Sequence, residues 1–146
     1  MAGWTAVEEI EAYRLSVELR DAIIDLTSDG PVTRDYKFRD QIRDSAASAA
    51  RNLSEGFDRF EHPQFAHLAN VAKGSLGETK TALEDGHKRG YFTREETARL
   101  CKVAKRAAKA TAGLIRYLQR TPTPKCRPPA KKSEHRAPAP STEHQH

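Results

Sequence analysis

Apolar residues recur along this chain at alternating steps of three and four, the spacing of one face of an α-helix. Ala12, Leu15, Leu19, Ala22 and Leu26 form the first such seam, with Ile10, Tyr13, Val17 and Ile24 alongside. They predict a helix over about 8–28, stopped at Ser28-Asp-Gly-Pro31, where Gly30 can turn left-handed and Pro31 cannot continue a helix. Phe38, Ile42, Ala46, Ala49 and Leu53 predict a second helix over about 35–55, ended by Gly56 and followed by a loop from Phe57 to His62. Pro63 suits the first turn of a third helix, which runs to about Lys88 with Phe65, Ala69, Ala72, Leu76, Thr79 and Leu83 on its core face and Gly90 at its end. Thr93 and Glu96 form a capping box for a fourth helix reaching about Arg120, with its seam at Leu100, Ala104, Ala107, Thr111, Leu114 and Leu118. No stretch alternates with the period of a strand. Short links between four helices predict an all-α fold, an antiparallel up-down-up-down four-helix bundle over 8–120. Residues 1–7 are a lead-in. Residues 121–146 hold six prolines and almost no apolar anchor, and are expected to be a disordered basic tail.

The second helix carries a further stripe beside its apolar seam. Gln41, Ser45, Ser48, Asn52 and Glu55 recur at steps of four and three. A solvated face has no need of short hydroxyl and amide groups in a row. Such a row suits close helix packing with hydrogen bonds across the contact. The helix is therefore expected to be packed on at least two sides, in a bundle that also forms an oligomer.

Composition narrows the picture. The chain has 146 residues, 37% hydrophobic and 31% charged. That is lean for one large core, and fits long helices sharing a narrow core or a core completed by partner subunits. No apolar run approaches the roughly 18 residues that span a membrane. The N-terminus is acidic, without the apolar segment of a signal peptide. Cys101 lies in a helical pattern and Cys126 in the tail, which makes a poor disulfide framework and no metal site. A cytoplasmic location is expected. Net charge is +5. The tail contributes +3, with Lys125, Arg127, Lys131, Lys132 and Arg136 against Glu134 and Glu143.

Two strings are familiar. QIRDSAASAARNLSEGF at 41–57 resembles the signature of the four-helix bundle proteins encoded in bacterial 23S rRNA intervening sequences. FAHLANVAKGSLGE at 65–78 is similar to the second signature of that family, and Gly90-Tyr-Phe to its turn. The similarity covers about Tyr13 to Arg120. Asp44 departs from it, standing where a second basic residue is usual; Ala49 replaces a β-branched residue and Leu68 a phenylalanine. The resemblance implies a homo-oligomeric ring, commonly a pentamer, and no established enzymatic activity. Related bundle proteins are accessory factors to the reverse transcriptases of diversity-generating retroelements and contact nucleic acid. The family's link to rRNA is the position of its genes.

The strongest functional candidate is the fourth helix. Arg99, Lys102, Arg106, Lys109, Arg116 and Arg120 form one basic stripe, with Gly113 at the missing position and Lys105 flanking it. From Arg94 to Arg120 there are eight basic and two acidic residues. Such a face can follow a phosphate backbone through counterion release. The alternatives are a solvated face or a surface for an acidic protein partner, such as a reverse transcriptase. With Tyr117 the one aromatic nearby, base stacking is not indicated, and binding would be largely sequence-independent. The tail could extend this footprint as a flexible arm, or serve only as a solubilising end.

Gln41, Ser45, Ser48, Asn52, Glu55, Gly56, Gly74, Ser75 and Glu78 are read as structural or interface residues. Asn52 and Glu55 can bond across to the third helix, and Gly74 can let helices approach. Glu55 and Glu78 could be imagined as an acid/base pair, but no nucleophile or phosphate loop accompanies them, and no catalytic residue is assigned. Glu84-x-x-His87 lacks the second such motif that a di-iron bundle requires, so neither metal nor cofactor is expected. His62 and His67 lie near a helix start, and His135, His144 and His146 lie in the tail. Cys101 reads as a small interior residue.

Overall fold

A computed structural model describes residues 3–129. Four α-helices follow one another: α1 Glu11–Leu26, α2 Tyr36–Arg59, α3 His62–Lys88 and α4 Arg94–Arg120. Short 3-10 turns precede α1 (Val7–Glu9) and α2 (Pro31–Arg34). Each helix packs on its neighbours in sequence, and α1 closes the bundle against α4. The described residues contain no strand. The expected antiparallel four-helix bundle is therefore the fold.

The core follows the apolar seams of α2, α3 and α4 without exception: every residue assigned to them is buried. In α1 the register differs at its C-terminal half. Ile23 is fully buried, whereas Ile24 is 43% exposed and Ala22 and Leu26 are only half-buried. The helix also begins at Glu11, because residues 7–9 form a separate 3-10 turn.

Gly56 does not end α2, which continues to Arg59; the intervening Phe57 is buried. The turn is made instead by Phe60, at φ 68. Glycine is needed at 56 for another reason. A Cβ there would lie 2.6 Å from Cδ1 of Phe65 on α3, so the α2–α3 hairpin closes this tightly only without a side chain. Gly30 takes positive φ in the turn after α1, as the sequence suggested, and Gly90 does so after α3, the helix that it was expected to end.

The capping box at Thr93 is complete. Glu96 N–H donates to the Thr93 hydroxyl at 3.1 Å, and Thr93 N–H donates to the Glu96 carboxylate at 2.9 Å. At the same end of the bundle, Asp35 caps α2 by accepting from Phe38 N–H at 3.3 Å. Its other oxygen accepts from the Tyr91 hydroxyl at 2.7 Å and from Arg89 at 3.1 Å, which ties the α3–α4 turn to the start of α2.

Candidate nucleic-acid interface

The polar stripe of α2 turns toward α3 only in part. Ser45 and Thr79 meet hydroxyl to hydroxyl at 2.9 Å, both buried. The Ser75 hydroxyl donates to that of Ser48 at 3.0 Å. Asn52 and Glu55 do not cross to α3. Asn52 donates to the Ser48 carbonyl at 2.8 Å, one turn back, and Glu55 pairs with Arg59 at 2.9 Å on the surface. Among the described residues, no buried side-chain nitrogen or oxygen lacks a hydrogen bond.

Gly74 is exposed, and a Cβ built on it would meet nothing within 4 Å. The close approach expected there belongs to Gly56. Gln41 and Glu78 are exposed too, and they line a groove of about 900 Å³ between the start of α2 and the end of α3. Glu55 and Glu78, the imagined acid/base pair, are both exposed, and Glu55 does not line that groove. His87 Nδ1 is spent on the Phe92 carbonyl, 2.9 Å away. No cluster of three or more His, Cys, Asp or Glu among the described residues could hold a metal ion. Cys101 is half-buried, and burial, then nearby Glu84, pushes its thiol pKa up. This leaves it a poor nucleophile.

On α4 the structure keeps all seven cations of the sequence reading together. Arg99, Lys102, Lys105, Arg106, Lys109, Arg116 and Arg120 are exposed, and no carboxylate among the described residues comes within ion-pair distance of any of them. The stripe runs about 31 Å at the helical rise of 1.5 Å per residue. Like charges three and four residues apart on a helix repel, at a few tenths of a kcal/mol per pair. This face is thus held at some cost in stability. The neighbouring α1 has the opposite sign: Glu11, Glu18, Asp21 and Asp25 stand against Arg14 and Arg20, and Glu8 and Glu9 lie in the turn before it. Two adjacent helices therefore give the bundle one acidic and one basic side.

Sequence reasoning missed what gathers at the C-terminal end of the stripe. Trp4, from the lead-in, meets Tyr117 edge-on, ring centroids 5.2 Å apart, and Phe65 at 6.4 Å. Residues 121–129, expected to be part of a disordered tail, run back over the α2–α3 turn. The Thr123 hydroxyl accepts from His62 N–H at 2.9 Å, and His62 Nδ1 donates to the Thr121 carbonyl at 2.7 Å. The Arg127 guanidinium stands 4.1 Å from the Phe57 ring centroid and 5.4 Å from that of Phe60. It also donates to the Phe57 carbonyl. Lys131, Lys132, Arg136, Glu134, Glu143 and the tail histidines lie outside the described residues. Helical periodicity carries no signal for such contacts; the aromatic content of the lead-in and the prolines of the tail were the only hints.

Among the described residues no helix is long and apolar enough to cross a membrane. No curated protein matches the chain. The family model described as 23S rRNA-intervening sequence protein matches residues 8–113, which takes in three helices whole and most of α4. With that match and the four-helix bundle together, the chain belongs to the 23S rRNA-intervening sequence protein family.

Proposed function

We propose that this protein is a non-enzymatic, cytoplasmic, homo-oligomeric bundle that binds RNA or other nucleic acid along the outer face of α4. The observation that carries this reading is the row of seven exposed cations with no carboxylate partner among the described residues. A face meant only for solubility is better served by mixed signs, which avoid the repulsion. A polyanion relieves that repulsion and gains entropy from the counterions it releases. Backbone contacts of this kind hold many sequences alike.

The test is binding of labelled RNA and DNA oligonucleotides by the nuclease-treated protein across a salt series. If all seven cations engage a single strand, log K falls with log salt with a slope of about −5. The double variant Arg106→Glu, Lys109→Glu should lose most affinity at low salt while keeping the helical circular dichroism of the parent. Equal binding by parent and variant would remove α4 as the site.

Self-association has separate support. Gly74 and Gly77 are exposed in the middle of α3, and a Cβ built on either would meet none of the described residues within 4 Å. A mid-helix glycine costs about 1 kcal/mol relative to alanine. A second copy lying close against α3 would account for both, and the polar residues beside them, Gln41 and Glu78, would then be interface groups. The same groove favours a second reading, a scaffold that seats a protein partner such as a reverse transcriptase without contacting nucleic acid itself. Recovery of a protein partner from nuclease-treated lysate, with no oligonucleotide binding, would favour that reading.

A further inference from the structure

We infer that the nucleic acid bound by α4 is single-stranded, with its bases stacking at the end of the bundle on the partly exposed rings of Trp4, Tyr117 and Phe60. The inference rests on the nucleic-acid reading above and names its ligand class.

Three observations lead to it. The basic stripe is narrow. It is one helix wide, and α1, packed against α4, carries Glu11, Glu18, Asp21 and Asp25 against Arg14 and Arg20, a net excess of two negative charges. A wide, stiff duplex laid on α4 would press a second row of phosphates toward those carboxylates. A flexible single strand can keep to the cations.

The stripe is also broken at one place, and the break adjoins the aromatic cluster. Gly113 presents no side chain, and only the end of Arg116 comes within 4 Å of where a Cβ would stand. One turn further on, Tyr117 lies on the shoulder of the stripe between Gly113 and Arg120 in helical register. Trp4 packs on Tyr117. Both rings are half-buried, as is Phe60 at its positive-φ turn, so each keeps part of its surface in solvent.

Cations continue past the end of α4. Residues 121–129 carry Lys125 and Arg127 over this same end, with Arg127 against the rings of Phe57 and Phe60. A line of cations leading to partly open aromatic rings is the arrangement by which proteins hold single strands: the charges track the backbone and the rings take bases of any identity. In a duplex the bases are already stacked and paired, and the rings would add nothing.

Trp4 is the only tryptophan of the chain, so its emission reports this end alone. The experiment uses the full chain, a labelled RNA 12-mer and the matched duplex, and reads fluorescence anisotropy together with Trp4 emission. The expected result is tighter binding of the single strand by about tenfold or more, with quenching of Trp4 by the single strand. Trp4→Leu should weaken single-strand binding by about tenfold and leave duplex binding unchanged, which also shows that the variant is folded. The quench in the unaltered protein stands independently of that variant. Equal affinity for both forms with Trp4 emission unmoved would overturn the inference and leave α4 as a phosphate-binding face. No binding of either form would overturn both.

Discussion

Gly56 and Gly74 are both helical glycines of the motif strings, yet they answer to different neighbours. At Gly56 the neighbour is Phe65, at a distance no Cβ tolerates. Gly56→Ala should cost about 1–3 kcal/mol in chemical denaturation, the usual penalty for forcing atoms into a packed contact. A variant as stable as the parent would show that α3 can shift freely against α2. Sequence spacing could not have separated the two glycines, because the deciding atom belongs to another helix.

Asp35 supports a prediction about pH. Its carboxyl is held below the usual carboxylate range, first by the Tyr91 hydroxyl and further by Phe38 N–H and Arg89, against an opposing contribution from burial. The folded pKa lies below the unfolded one, so this group stabilises the fold above the ordinary carboxylate pKa. That contribution is lost as pH falls through the lowered value. Tyr91 is pushed up, chiefly by Asp35; its contribution is present at neutral pH and fades as pH rises past its ordinary value of about 10. Asp35→Asn should therefore be less stable than the parent at pH 7, with the gap closing at acid pH. Denaturation midpoints of both proteins from pH 7 down to pH 3 would check this, and a constant gap would refute it.

At the scale of elements, most of the fold was legible in the chain. The seams of α2, α3 and α4 needed only a period of 3.6, since each faces one continuous core. α1 was less legible. Ile23 and Ile24 are adjacent and equally apolar, and the choice between them depends on where α2 lies. Arg43 on α2 donates to the Thr27 hydroxyl at 2.7 Å and to the Ile24 carbonyl at 3.3 Å, which sets the last turn of α1. The start of α4 was legible to the residue, because a capping box is a local device. Thr93→Ala should destabilise the protein by about 1 kcal/mol. Thr93→Ser should recover most of this, and failure of the serine to do so would mean that the methyl group, not the cap, matters.

For the whole molecule, the cations of α4 could be read from the sequence but their setting could not. The acidic flank on α1 and the rings that join Tyr117 at the bundle end, Trp4 and Phe60, come from chain segments far from α4 in sequence. Self-association belongs to this scale as well. Sedimentation of the purified chain should show a species several times the 16.3 kDa of one copy. Gly74→Leu with Gly77→Leu should return it to one copy without loss of helix, since a Cβ at either position meets no described residue within 4 Å. A parent that sediments as a single copy would leave those two glycines unexplained.

The lead-in and the segment after α4 meet at one pole of the bundle: Pro128 lies 3.9 Å from where a Cβ on Gly3 would stand. The opposite pole holds the Gly30 and Gly90 turns. A bundle of this kind has a head and a foot. In a cyclic assembly turning about an axis along the helices, rotation cannot exchange the two. Every copy would present residues 3 and 129 on the same rim, concentrating Lys125 and Arg127 in a crown there and leaving the other rim to the bare turns.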